Sequence, residues 1–304
     1  MLSLDVGLQT QAEQLLANVG PPSALVAIRP STGEVVAAAN GPGTGGQNLA
    51  TFGQAAPGST FKIVSSLALL RAGLSPDSVV PCTRTIVVDG KEFKNYSDYP
   101  SSALGKIALR TALANSCNTA FISQATKLSG TNLFDAGVSL GIGLDHDLGF
   151  PAYFGKTEPD TDSETGAAAQ LIGQGTILAS PMVMATVIGS VQQGALVVPR
   201  LVEGVDVTAP EGAQPLTEPE VTALRQMLRG VVTEGSGRGL LDVPGPPVIA
   251  KTGTAEFGAG PDLQTHAWMV AAQGDLAVCV YVDVGASGSQ TAGPILEAFL
   301  RAAQ

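Results

Sequence analysis

Apolar positions at the start of the chain recur at helical spacing. Leu8, Ala12, Leu15 and Leu16 share one face, which predicts an amphipathic helix over residues 3–18. Two short runs rich in Val, Ile and Ala follow at 24–30 and 35–39. Ser31-Thr32-Gly33-Glu34 joins them with a glycine in the turn, the signal of a β-hairpin. A Gly-rich loop covers 41–47. Pro57-Gly58 then opens a helical stretch that starts at Ser59 and ends near Ala72.

From about 104 to 195 the pattern is mostly helical, broken by Gly and Pro, with Ser180-Pro181 as an N-cap and first helical residue. Thr217-Glu218-Pro219-Glu220 reads as a capping box in front of Leu224, Leu228 and Val231. The tail returns to strands at 248–257, 266–272 and 276–284, with Gln273-Gly274-Asp275 turning between the last two, and a closing helix at 294–302. Strands at both ends with helices between them predict an α/β protein of the α+β type. Its antiparallel sheet comes from both chain ends and is flanked by helices, with a mostly helical lobe beside it. On this reading residues 1–304 form a single domain, the sheet part at about 20–60 and 217–304 and the helical lobe at about 61–216.

Composition narrows the function classes. The chain is 44% hydrophobic and 14% charged, with a formal net charge of −10 and no Lys/Arg cluster. That excludes disorder and argues against nucleic acid or an anionic membrane surface as partner. The first basic residue is Arg29, so no secretory n-region precedes it, and no run of about 20 apolar residues is present. Three cysteines without CxxC spacing and two histidines leave little for a metal site or a Ser-His-Asp triad, so neither metal nor cofactor is expected.

Three short motifs stand in order: Ser59-Thr60-Phe61-Lys62, Ser116-Cys117-Asn118 and Lys251-Thr252-Gly253. A serine hydroxyl is a weak nucleophile and needs an adjacent base. Residues three apart share a helical face, so Lys62 is placed to reach back to Ser59. An amine near other cations or away from water gives up its proton more easily and can act as that base. Ser116 and Asn118 flank Cys117 in a break between two helical runs. The Ser116 hydroxyl suits proton relay, and the Asn118 amide can hold a substrate carbonyl and the lysine. Lys251 lies on a strand leading into Thr252-Gly253-Thr254, offering a cation and hydroxyls for a substrate carboxylate. Gly253 permits close approach of backbone to ligand. The N–H groups of Ser59 and Thr254 would form an oxyanion hole. Each motif alone is more often a cap, loop or strand end; the ordered set on helix start, inter-helix loop and strand is much rarer by chance.

With these residues the chain resembles the transpeptidase domain of class B penicillin-binding proteins. The likeness extends to Pro57-Gly58, Ile172-Gly173-Gln174-Gly175, Ser180-Pro181-Met182, Thr254-Ala255-Glu256, His266-Ala267-Trp268 and the N-terminal Leu8-Gln9-Thr10-Gln11-Ala12-Glu13, and so covers nearly the whole chain. It implies acylation of Ser59 by peptidoglycan stem peptides ending in D-Ala-D-Ala, attack by a neighbouring stem's amine, and covalent capture of β-lactam antibiotics. A membrane glycan polymerase is the implied protein partner. Family members carry a membrane anchor and an N-terminal non-catalytic domain. Neither is found in these residues, which are expected to be the soluble catalytic part of a longer protein at the extracytoplasmic face of the cell membrane. Cys117 inside the second motif is less expected; it either pairs with Cys82 in an oxidising compartment or stays a buried free thiol.

Rival readings remain at this point. A class A β-lactamase would show a Glu with Asn four residues on, but Glu158 is followed by Asp162 and Glu164 by Ala168, whereas the class D route, a carboxylated lysine in an apolar pocket, stays open. A D,D-carboxypeptidase would share every acylating residue. A non-catalytic β-lactam sensor would usually have lost Ser59, Lys62 or Lys251. Gly41, Gly43 and Gly46 spell GxGxxG without a prompt helix, and Asp145-His146-Asp147 reads as a solvated loop rather than metal ligands. The acidic stretch 158–164 reads as an exposed loop.

Overall fold

The computed structural model describes residues 1–157 and 163–304. Its centre is a five-stranded antiparallel sheet built from β1 (Ser23–Ile28), β2 (Val35–Asn40), β7 (Ile249–Phe257), β8 (Gln264–Gln273) and β9 (Leu276–Val282), in the order β2-β1-β9-β8-β7. Both chain ends thus supply the sheet, as expected. β9 is central because its sequence, Leu-Ala-Val-Cys-Val-Tyr-Val, is apolar on both faces. Strand alternation sorts its residues between two cores. Val278, Val280 and Val282 face α1 (Val6–Leu16) and α10 (Gly293–Ala302), whereas Cys279 and Tyr281 face the helical side.

α8 (Pro181–Gln193) explains how the two sides are joined. Residues 181–191 are all buried, a helix apolar all round, and it packs between the sheet strands β9 and β1 and the rest of the helices. Burying one of its Val or Ile side chains contributes about 1.5–3 kcal/mol. Ser180 caps it by accepting from Val183 N, as the Ser-Pro pair predicts. α9 (Glu218–Thr233) opens on the expected capping box, Thr217 and Glu220 each satisfying the other's backbone N–H. Around these pack the short α2 (Leu49–Phe52), α3 (Lys62–Arg71), α4 (Leu109–Ala114), α5 (Asn118–Ile122), α6 (Asn132–Leu140) and α7 (Glu164–Gln170).

Three sequence expectations need correction. The helices of the middle segment begin at Leu109 and not at about 104, because residues 105–108 form a strand, and the lobe holds further strands before it. β3 (Val79–Cys82) pairs with β6 (Gly105–Ala108), and β4 (Thr85–Val88) pairs with β5 (Lys91–Lys94), forming two antiparallel ribbons. The second turns at Asp89-Gly90, both with positive φ (46° and 77°), the conformation that matches strand twist in a two-residue hairpin. Ser59 does not begin an α-helix. Gly58–Phe61 is a 3-10 turn, and the α-helix starts at Lys62. His146 is only partly exposed: its ring packs on Phe154 at 4.1 Å and burial pushes its pKa down, while Asp145 and Asp147 on either side of it are exposed. Gly43 serves backbone packing, since a Cβ there would stand 2.4 Å from the Gly20 oxygen. Of the acidic stretch, residues 158–162, Glu158 and Asp162 among them, lie outside the described residues.

Candidate active site

The nucleophile candidate is positioned by main-chain contacts. Gly58 has φ +52° and donates its N–H to Gly173 O at 2.9 Å, so the loop at Ile172-Gly173-Gln174-Gly175 closes onto the turn that carries Ser59. A Cβ on Gly58 would stand 2.5 Å from Thr254 O, and one on Gly253 would stand 2.7 Å from Pro57 O. Only glycine allows the turn to lie this close to the outer strand β7. Ser59 is the second residue of the 3-10 turn, where a backbone N–H has no acceptor within the turn and points out of its N-terminus.

Lys62, at the first position of α3, turns its amine back along the helix. Its Nζ is 3.0 Å from Ser59 Oγ, 2.6 Å from Asn118 Oδ1, 2.9 Å from Ser116 O and 3.3 Å from Ser116 Oγ. The residue is fully buried. Desolvation first, and the Lys251 charge second, hold its pKa well below the usual lysine value. Lys251, also fully buried, reaches Ser116 Oγ and Thr252 O, each at 2.9 Å. Burial lowers its pKa to about 7. Ser116 is thus bridged by two amines. It takes the left-handed backbone (φ +59°), uncommon for a serine, which aims both its carbonyl and its hydroxyl at Lys62.

The second motif is held by parts that sequence reasoning passed over. Asn95 Oδ1 accepts from Asn118 N at 2.8 Å and Thr119 N at 3.3 Å, satisfying backbone donors at the start of α5. Asn118 Nδ2 in turn donates to Lys94 O at 2.9 Å. Cys117 forms a disulfide with Cys82, which decides between the pairing and the free thiol; among the cysteines only Cys279 is free, and it is buried. The bond ties the motif to the β3–β6 ribbon.

Ser59, Lys62, Ser116, Asn118 and Lys251 therefore converge on one site. Thr252, Gly253 and Thr254 follow Lys251 along β7. Their hydroxyls are already engaged: Thr252 Oγ1 with Ser236 Oγ at 2.6 Å, and Thr254 Oγ1 as acceptor from Gly288 N at 3.3 Å. Across the mouth, Lys94 Nζ stands 4.0 Å from Glu256 Oε1, both exposed. Among the described residues no group of three His, Cys, Asp or Glu side chains is placed to hold a metal ion. The chemistry the arrangement can perform is serine activation by a buried amine, with a second amine and a hydroxyl to pass the proton on.

The chain is similar to known proteins in both sequence and fold. Residues 23–301 match the family described as the penicillin-binding protein transpeptidase domain. The peptidoglycan D,D-transpeptidase PbpA of Mycolicibacterium smegmatis is 30% identical over 92% of this chain and 66% of its own length. The chain therefore spans just under two thirds of that relative. Among solved structures, penicillin-binding protein A from M. tuberculosis, in its ceftriaxone acyl-enzyme complex, superposes with a TM-score of 0.84 at 24% identity, covering 99% of this chain and 79% of that one. Pseudomonas aeruginosa PBP2 in complex with WCK 5153 gives 0.83 at 26% identity, covering 99% and 77%.

Proposed function

Because the chain belongs to the penicillin-binding protein transpeptidase domain family, we propose that it is a serine D,D-transpeptidase that cross-links peptidoglycan stem peptides and binds penicillin covalently. The observation that carries the proposal is the buried Lys62 amine 3.0 Å from Ser59 Oγ, with its pKa driven down by burial and by Lys251.

In the proposed cycle, neutral Lys62 takes the Ser59 proton as Oγ attacks the carbonyl of the penultimate D-Ala. The N–H groups of Ser59 and Thr254 stabilise the oxyanion. The proton passes through Ser116, which Lys62 and Lys251 both touch, to the departing D-alanine nitrogen. The Ser59 ester remains. A neighbouring stem's amine then attacks it and loses its proton to Lys62, which returns it to the departing Ser59 Oγ, so that the new amide leaves and both residues are restored. Lys251 and the hydroxyls of Thr252 and Thr254 hold the donor carboxylate.

The whole protein would work outside the cytoplasmic membrane beside a membrane glycan polymerase. The Cys82–Cys117 disulfide supports an oxidising compartment. Among the described residues no helix is long and apolar enough to cross a membrane.

Incubation with benzylpenicillin, followed by intact mass and peptide mapping, tests the reading. A penicilloyl adduct on Ser59 that persists for many minutes is expected. A transient adduct with rapid accumulation of hydrolysed penicillin would make the protein a β-lactamase, and no adduct on folded protein would overturn the assignment. With a D-Ala-D-Ala peptide and an amine acceptor, release of D-alanine without a cross-linked product would make it a carboxypeptidase.

A further inference from the structure

Ser236 lies outside all three motifs, yet it touches Thr252 in the third and the backbone two residues ahead of the second. It sits just past the end of α9, in Glu234-Gly235-Ser236-Gly237, and is partly exposed. Its N–H donates to Ala114 O at 3.2 Å, two residues ahead of Ser116. Gly235 makes this approach possible, since a Cβ there would stand 1.9 Å from the same oxygen. The Ser236 hydroxyl meets Thr252 Oγ1 at 2.6 Å. Lys251, the neighbour of Thr252, binds Ser116 Oγ from the other direction. A closed frame results, running from Ala114 through Ser116, Lys251, Thr252 and Ser236 back to Ala114.

The chemistry of the hydroxyl pair is specific. Two hydroxyls carry two hydrogens, and their mutual bond uses one. The other hydrogen stays available to an outside acceptor, one residue along β7 from Lys251, whose ammonium binds the Thr252 carbonyl. A donor O–H beside a cation suits a carboxylate, and a neutral carbonyl gains less from it. A free Thr252 side chain would spread over its rotamers; with Ser236 as partner, one is held.

We propose that Ser236 is a positioning residue for donor recognition: through Thr252 it orients the hydroxyl that reads the terminal carboxylate of the donor peptide or β-lactam. The inference rests on the acyl-transfer reading above and adds a specificity determinant to it. Ser236 acts on carboxylate recognition and leaves proton transfer at Ser59 alone.

The test compares two acylating agents, benzylpenicillin and its methyl ester, which lacks the carboxylate. Second-order acylation rates are measured by intact mass for the wild type, Ser236→Ala and Ser236→Thr. A bond to a charged group predicts a loss of about tenfold for Ser236→Ala with the acid. The ester should change less than about twofold, and Ser236→Thr should recover most of the rate with the acid. Equal losses with acid and ester would overturn the proposal, because a general loosening of the cleft affects both. So would an unchanged rate with the acid. Should Ser236→Ala fail to fold, Ser236→Cys keeps the shape with a weak donor and supports the same acid-to-ester comparison. Failure of the wild type to be acylated by either compound would instead sink the acyl-transfer reading itself.

Discussion

Lys62 and Lys251 reach one hydroxyl, that of Ser116, at 3.3 and 2.9 Å. Two buried ammonium groups on one neutral oxygen repel each other, so the second proton is hard to hold. Lys62, with the charge of Lys251 beside it, is the one to give it up. In the proposed cycle the pair then divides the labour, a free amine next to Ser59 and a cation for the donor's carboxylate.

Acylation should accordingly have a bell-shaped pH profile. The rate rises with pH as Lys62 loses its proton, at a pH well below that of an exposed lysine, because burial and Lys251 both disfavour its charge. It falls again as Lys251, with a pKa of about 7, loses the charge that attracts the donor. Stopped-flow acylation by benzylpenicillin across the pH range reads both limbs. A rate that climbed steadily to roughly 10.4, the ordinary lysine value, would contradict the assigned roles.

Gly173→Ala should disable the site without touching a reactive group. The added methyl would stand 2.1 Å from Gly58 O and 2.6 Å from Phe61 Cβ, and Gly173 has φ +71°. The turn carrying Ser59 must move, and a displacement of about 1 Å is enough to lower acylation roughly 100-fold. Circular dichroism on the same sample separates this from unfolding. A folded variant with wild-type acylation would show that the contact does not set the position of Ser59.

The Cys82–Cys117 bond closes a loop with a sequence separation of 35. Loop entropy assigns it about 4 kcal/mol of stability. Replacing both cysteines with serine should lower the urea midpoint correspondingly. It should also slow acylation, because Cys117 lies between Ser116 and Asn118. A double variant as stable and as active as the parent would leave the bond without a role.

The capping box of α9 should show itself in acid. Thr217→Ala is expected to cost about 1 kcal/mol. Glu220 is partly buried, which alone would raise its pKa, but bonds from Thr217 N and Arg71 outweigh this and hold it below the usual value. A depressed carboxylate stabilises the fold above its unfolded pKa, and the stability is lost as pH falls through the lower folded value. Thermal melts should therefore show wild type and Glu220→Gln drawing together as the medium becomes strongly acidic. Curves that stayed parallel would exclude the linkage.

Much of this architecture is legible in particular residues. Ser180-Pro181 and Thr217 with Glu220 are complete local instructions, and the helices begin where they say. The strands 24–30, 35–39 and 248–284 carry their burial in their composition. The ribbon at Thr85–Lys94 is equally local, with Asp89-Gly90 between alternating residues. Other features were not local at all. Asn95 is an unremarkable polar residue until folding brings it 23 residues forward onto Asn118 N. Ser236 gains its meaning from Thr252, and Gly173 from Gly58. Ser59 is displaced from the α-helix into a tighter turn because Gly58 must take positive φ to pass over Thr254, a tertiary demand that overrides the helical pattern.

Main chain against main chain, at Gly58, Gly173 and Gly253, places Ser59, the proposed nucleophile; side chains take little part in it. This bears on how such a chain can evolve under a covalent inhibitor. Exchangeable side chains such as Lys94 and Glu256 at the rim can drift and reshape what enters. The three glycines cannot, since every alternative residue brings a carbon where an oxygen already stands. Escape is confined to the rim, and the reactive centre stays the same target throughout.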